Sequence, residues 1–479
     1  MTDKVVPKES VNCDVPFLKG TRSLEDDLIG TRISKQRNYM TSIIVLTNST
    51  IGINLLIMPR LFHLSGIFLG TLQLFILAFI SLGTSSMLCS VGNTLGKRSY
   101  FEICEHLFTS NKRFLIHIMF FVLLMGNVLS FQCFALDSLN AMVRHLFFRN
   151  YRIDSSRLIL TRLASCLGAN ICILPFLFIK KSKYQYIISN MCSLGIVFGT
   201  LVIFGVYLFP SLTLTNIAYR DYEYIKYFDC NGIYACIGVY MMSYCYHLTI
   251  VDVNYDIQPK TKRSTKIVVI SNCLSSFVLY VLVSLFGYLA TLYEKKSFED
   301  TSNYFMNLII SNQQYSSLLY VTSFVTIAAI MIGNVNNYLA LIRFLNWKFN
   351  KTSTAHASKL LENLNLGNSF LGDDSSEEEC DETYNNTYIL IILSTFIGIL
   401  GLSFVLVMFN IKVEMTLDFF GAVCASPICI IIPGYLYLYL AKSGNKDQLK
   451  LFKWLAAFCI ICVGFATWGF SLYSIYKSN

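Results

Sequence analysis

The sequence predicts an all-α integral membrane protein with about eleven transmembrane helices. Three observations carry this reading. Hydrophobic residues make up 54% of the 479 positions and charged residues only 14%, with a mean hydropathy of +0.54, too apolar for an ordinary water-soluble fold. Apolar runs of roughly 20 residues, the length a helix needs to cross hydrocarbon, recur along almost the whole chain. The short segments between those runs hold most of the charge.

Taken in order, residues 1 to 38 are polar and contain no apolar h-region. They are expected to be a disordered cytoplasmic tail with no cleavable signal peptide, leaving the first span to direct insertion. Spans follow near 40–61, 66–91, 114–139, 158–179, 184–209, 232–257, 267–292, 316–342, 388–410, 416–440 and 453–475. The chain thus divides into the tail 1–38, spans one to eight within 39–342, an acidic linker 343–387, and spans nine to eleven within 388–479.

An odd number of spans puts the termini on opposite sides. A cytoplasmic N-terminus places most of the 38 Lys and Arg inside, as the positive-inside rule requires. The inside clusters are Lys97, Arg98, Lys112 and Arg113; Lys180, Lys181 and Lys183; Lys260, Lys262, Arg263 and Lys266; and Lys442, Lys446, Lys450 and Lys453. Arg144, Arg149, Arg152, Arg157 and Arg162 would lie outside, so either this loop is an exception or a helix is miscounted there. The linker carries Asp373, Asp374, Glu377, Glu378, Glu379, Asp381 and Glu382 and reads as a solvated cytoplasmic segment. Sequons at Asn350 and Asn385 fall in or beside it and are expected to stay unmodified.

The 16 cysteines lie mostly inside apolar runs, where a thiol behaves as a small hydrophobe. The one CxxC pair, Cys459 and Cys462, sits in an apolar helix and reads as packing; the pairing of Cys230, in a polar loop, stays open. The net charge of +9 arises beside the spans, so it indicates topology and contact with anionic membrane lipid, and no nucleic acid.

Two spans are interrupted. A helix in lipid keeps its backbone bonded, so small and polar residues in mid-span are informative. The first reads Asn48-Ser49-Thr50-Ile51-Gly52-Ile53-Asn54 and continues to Pro59; the sixth reads Ser243-Tyr244-Cys245-Tyr246-His247, with Asp252, Asp256 and Pro259 beyond. Each alone is also what ordinary helix packing would show. Their pairing at the first helix of each half matches inverted-repeat transporters, whose half-helix N-termini attract carboxylates while freed carbonyls hold cations.

The residues of the first span, Asn48, Gly52, Leu56 and Pro59 followed by Ser65-Gly66, resemble the amino acid/auxin permease family and its Asn-x-x-x-Gly-x-x-x-Leu-x-x-Pro pattern. Gly96-Lys97-Arg98-Ser99-Tyr100 ahead of Glu102 and Glu105, the break around His247, and the stretch from Gly421 through Pro427 to Pro433 resemble it too. The resemblance implies a LeuT-type fold of two five-helix inverted repeats plus one extra helix. It also implies amino acid transport driven by a proton or sodium gradient, with alternating access around a midplane site. The substrate's amino and carboxyl groups would meet the backbone at Asn48, Ser49, Thr50, Ile51, Gly52 and Ile53 and at Ser243, Tyr244, Tyr246 and His247. Tyr244 and Tyr246 are bulkier than the family's common residues there and bear on substrate size.

For coupling, His247 is the first candidate, because imidazole titrates near neutral pH; the alternative is a neutral histidine bonded to a neighbouring helix. Asp252 reads as a gate or as a partner of the Lys260 to Lys266 cluster. Thr322, Ser323 and Thr326, or Asn334, Asn336 and Asn337, offer oxygens to sodium or bond between helices. Asp137 and Asp418 lie near outer span ends and His63 at the interface, where water reaches them. Gly66 and Gly70 form a GxxxG step for close helix approach. No cofactor is expected beyond a coupling Na+ or H+, and no metal motif is present. The partners expected are an amino acid and lipid, with the chain a monomer in a plasma membrane or a vacuolar or lysosome-like membrane. An enzyme is disfavoured by the lack of HExxH, GxSxG and P-loop patterns. A channel is disfavoured by the lack of a filter or voltage-sensor sequence. An amino-acid sensor or scaffold of the same fold is the alternative to a transporter.

Overall fold

A chain in hydrocarbon must close its backbone bonds on itself, and among the described residues the long apolar runs form helices. A computed structural model describes residues 39–147, 155–178, 190–191, 194–195, 197–199, 201–202, 225–257, 261–291, 316–363, 377–409, 413–443 and 451–478. The first span is a broken pair, α1 (Tyr39–Thr50) and α2 (Asn54–Ser65), bent by 54°. Then come α3 (Ile67–Leu95), the short α4 (Tyr100–Leu107), α5 (Ser110–Phe147) and α6 (Ser155–Leu177). The sixth span is α7 (Cys230–Ser243) and α8 (His247–Asp256), followed by α9 (Lys262–Thr291), α10 (Ser316–Asn363) and α11 (Glu377–Met408). The tenth joins α12 (Val413–Phe420), two π-helical turns at Gly421–Ala425 and Pro427–Ile431, and α13 (Ile432–Ser443). The last span is α14 (Leu451–Ser478).

Among the described residues nine helices are long and apolar enough to cross a membrane, or ten with the bent pair counted as one span. The expected span at 184–209 lies mostly outside the described residues. Between α5 and α6 only residues 148–154 intervene, too few for another span, so no helix is hidden beside the basic loop. The expected linker is partly helical: α10 runs 48 residues, about 72 Å at the helical rise and far more than a bilayer core. Its extension past residue 342 still carries an apolar edge, with Phe344 and Trp347 packed on Phe101. The acidic residues Glu377, Glu378 and Glu379 open α11, where negative charge suits the helix N-terminus. Asp373 and Asp374 lie outside the described residues.

Two packed groups emerge. In one, α9 lies against α1, α2 and α3, while α2 packs on α7; in the other, α10 lies along α5, and α11 along α6. The tenth span joins them, with α12 touching both α5 and α7. The sixth span is the most enclosed, 71% buried, and α14 the least, at 17%. Large apolar side chains such as Phe68, Phe79, Leu390 and Ile397 point outward, as lipid contact requires of a membrane protein. Cys459 and Cys462 on α14 are also exposed, so their thiols do not pack inside the bundle.

Glycines mark the closest approaches. Gly66 turns α2 into α3 at φ +83, and an added Cβ would strike the Phe228 amide at 2.6 Å. Gly70 faces Phe62 and Ser65 of the neighbouring turn, so the GxxxG step serves packing within the chain. Gly238 of α7 and Gly421 of the first π turn bring two backbones together, and a Cβ on either would collide with the other helix.

Candidate functional site

The first break is three residues long. The amide of Ile51 still bonds the Thr47 carbonyl at 2.9 Å, closing α1. Leu55 and Leu56 donate to the carbonyls of Gly52 (3.4 Å) and Ile53 (3.0 Å), tight i to i−3 turns that open α2. The amides of Gly52 and Ile53 make no backbone hydrogen bond among the described residues. They stand at the N-terminus of α2, where free N–H groups and the helix dipole favour an anion. Glycine is needed at 52 for space: a Cβ there would lie 3.0 Å from Phe131 Cζ of α5.

The side chains around this break are mostly satisfied by protein. Ser49 and Thr50 both donate to the Leu46 carbonyl at 2.8 Å. Thr50 also meets Asn272 Oδ1 at 3.3 Å, and Asn48 donates to Asn190 Oδ1 at 3.1 Å. Ile51 and Ile53 are buried. What this break leaves for a ligand is therefore chiefly backbone.

The sixth-span break unwinds differently. The amides of Tyr244 and Cys245 bond Met241 and Met242 three residues back, and Tyr246 bonds Tyr244 at 3.1 Å. Ser243 returns its hydroxyl to Val239 at 2.8 Å. Tyr244 packs edge-on against Tyr280 and buries its hydroxyl without a hydrogen-bond partner among the described residues. Tyr246 stacks on His247. His247 is fully buried, its Nε2 facing the hydroxyls of Thr84 (2.8 Å) and Ser85 (3.2 Å) on α3. This is the neighbouring-helix arrangement given above as the alternative to a proton carrier. A cavity of about 10 Å³ beside it, with Ser81, Met241, Tyr244 and Cys429 in its wall, has room for about one water.

One side chain joins the two breaks. The buried Tyr280 hydroxyl, on α9, lies 2.6 Å from the Thr50 carbonyl and 3.0 Å from the Ser243 carbonyl, the last helical residues of α1 and α7. Both carbonyls have lost their in-helix donors through the unwinding, so one phenol serves two orphaned acceptors. Nothing in the sequence singles out Tyr280, which stands in an apolar run like any lipid-facing aromatic.

Of the coupling candidates, His247 lies at the sixth-span break and the others on α8 and α10. Thr322 and Thr326 are buried in α10, whose main neighbour is α5, and Thr326 returns its hydroxyl to the Thr322 carbonyl at 2.8 Å. Asn334 donates to Gln132 on α5 at 3.1 Å. Nothing is described of the Ser323 side chain. Asp252 is exposed, one turn before Asp256, which meets Arg98 at 3.5 Å. No group of three or more His, Cys, Asp or Glu that could hold a metal occurs among the described residues.

The Gly96 to Glu102 stretch has a local logic. Gly96 ends α3 at φ +65, and Ser99 caps α4 by accepting from the Glu102 amide at 3.2 Å. The Glu102 carboxylate in turn accepts from the Arg98 amide at 3.2 Å. This turn sets Tyr100 under the tenth span, where its hydroxyl donates to the Ile428 carbonyl at 2.8 Å in the second π turn. Burial pushes the Tyr100 phenol well above its usual pKa, keeping it a donor.

A family model described as transmembrane amino acid transporter protein matches residues 35–477. Over 248 residues the chain is 22% identical to the putative sodium-coupled neutral amino acid transporter 10 of Xenopus laevis, covering 51% of this chain and 23% of that protein. Over 248 residues it is also 22% identical to solute carrier family 38 member 10 of Homo sapiens, covering 21% of that protein. The matched region thus spans less than a quarter of either relative's length. A solved structure described as the substrate-bound outward-open state of a Na+-coupled sialic acid symporter shares the fold. Its TM-score is 0.51, at 12% identity over 90% of this chain and 89% of that one. With two broken spans inside an all-helical membrane fold and a family match over nearly its whole length, the chain belongs to the transmembrane amino acid transporter family.

Proposed function

We propose that the protein is a secondary active transporter that carries amino acids by alternating access around the first and sixth spans. The observation that carries the reading is the pair of amides at Gly52 and Ile53 with no backbone hydrogen bond among the described residues, on a break tied through Tyr280 to the break at Ser243. A helix N-terminus with two such amides suits the carboxylate of an amino acid. The 10 Å³ cavity is far smaller than an amino acid, so substrate would enter only as the two packed groups part.

The coupling ion is sodium or a proton. The name of the Xenopus relative supports the sodium arm and neutral amino acids as substrates. The enclosure of His247 between Thr84 and Ser85 argues against that imidazole as a freely exchanging proton carrier. The protein acts as a monomer in lipid with its N-terminus in the cytoplasm, in a plasma or lysosome-like membrane. The acidic segment 343–387 lies on the cytoplasmic side.

Uptake of labelled amino acids into proteoliposomes, with and without a sodium or pH gradient, tests this directly. The expected result is flux above empty vesicles that rises with one gradient. No flux for any amino acid, with binding retained, would instead assign the chain to sensing.

A further inference from the structure

The two non-α stretches of the sixth and tenth spans meet at a pair of thiols. Cys245 lies in the unwound turn between α7 and α8, and Cys429 in the second π turn. The Cys429 thiol faces the Cys245 sulfur at a separation of 3.2 Å. A disulfide needs the sulfurs at about 2.05 Å, so roughly 1.2 Å of closure is required. Both residues sit where the regular α ladder is interrupted, the places in each span with most freedom to shift.

The pair is also unequal. Cys429 is 3% exposed, whereas Cys245 is only partly buried and can be reached first.

We infer that Cys245 and Cys429 are a redox-switchable pair whose oxidation by a hydroperoxide ties the sixth-span break to the tenth span and arrests the transport cycle. The Cys245 thiolate attacks one peroxide oxygen. An S–O bond forms, the O–O bond breaks, and the departing oxygen takes up the proton that the Cys245 thiol released and leaves as water, or as an alcohol from an organic hydroperoxide, giving a sulfenic acid. The Cys429 sulfur then attacks the sulfenyl sulfur; the S–O bond breaks, and the hydroxyl takes the Cys429 proton and leaves as water. Two thiols supply two electrons, one peroxide accepts them, and a disulfide results. A dithiol reverses the step by exchange. The link stops motion because it ties the unwound turn of the sixth span to the tenth span, and transport requires the broken segments to move.

The arrest rests on the transport reading; the thiol chemistry does not. The test uses the full chain in proteoliposomes, treated with hydrogen peroxide, alkylated with N-ethylmaleimide and digested for peptide mass spectrometry. The expected result is a linked Cys245–Cys429 peptide pair that dithiothreitol separates. Uptake by the wild type should be lost on oxidation and return on reduction. Cys245→Ser and Cys429→Ser, each compared with its own reduced rate, should keep their uptake through peroxide treatment. Recovery of both cysteines as alkylated thiols, while others of the 16 are oxidised, would overturn the pair. Equal peroxide sensitivity in the single variants, or a linked pair with undiminished uptake, would overturn the arrest. If reduced wild type shows no uptake, the transport reading fails, and the peptide map of the wild type still decides the thiol pair.

Discussion

Gly52 and Tyr280 both bear on the first break, one against Phe131 and the other at the Thr50 carbonyl. A Cβ at 52 would press on the Phe131 ring at 3.0 and 3.3 Å, and a β-branched residue would add a second carbon to a wall already in contact. Gly52→Val is therefore expected to abolish uptake while the protein still reaches the membrane, and Phe131→Ala in the same chain should restore part of the flux of Gly52→Ala. Absence of rescue would mean that backbone freedom, and not space, is what the glycine supplies. Tyr280→Phe removes the donor to the Thr50 and Ser243 carbonyls and leaves the ring in place. Hydrogen bonds between membrane helices are worth about 0.6 kcal/mol on average and seldom above about 1.7. The expected outcome is thus a small drop in melting temperature with a large loss of maximal uptake rate. A variant that melts much lower but transports normally would make Tyr280 a packing residue. Asn48, Gly52 and Pro59 were legible in the sequence because small, polar and imino residues stand out against an apolar run. Tyr280 and Phe131 were not, since an aromatic that touches a break is written like one that touches lipid.

At the scale of elements, the tenth span is the counterpart of the two broken ones. It keeps its path through two π turns, and the Ile428 carbonyl in the second is met by Tyr100 from α4. Its contact with α7 runs backbone to backbone at Gly238 and Gly421, so side-chain volume there has nowhere to go. Overpacked sites of this kind cost about 1–3 kcal/mol. Gly421→Ala is expected to lower the melting temperature in detergent, and Gly83→Ala, whose Cβ would meet only Ile460 at an ordinary 3.5 Å, is expected to leave it unchanged. Equal melting of the two variants would show that the helices separate freely at that crossing. The sequence announced span lengths well, because about 20 apolar residues are a direct transcript of bilayer thickness. It announced the end of α10 badly, because a helix leaving the membrane turns polar without ceasing to be a helix.

For the whole molecule, the proposed cytoplasmic N-terminus rests on charge, and the sequons test it: Asn350 on α10 and Asn385 on α11 are expected to carry no glycan when the protein is expressed in a secretory cell. A glycosidase-sensitive mass shift that disappears in Asn385→Gln would place that end of α11 outside and reverse the topology. By itself the sequence determined the solvent of the protein, the positions of the spans the structure describes and the two places where a span breaks. Each of these depends on composition along a single stretch of chain. The tertiary structure alone decided which atoms the breaks share. It set Tyr280 between two carbonyls 193 residues apart in the chain, turned His247 toward Thr84 and Ser85, and brought Cys429 to Cys245. In lipid an apolar side chain gains nothing from facing inward over facing outward, so hydrophobic pattern carries no instruction about which helix faces which. That information lies in close packing and in a few polar contacts, and these exist only once the helices have come together.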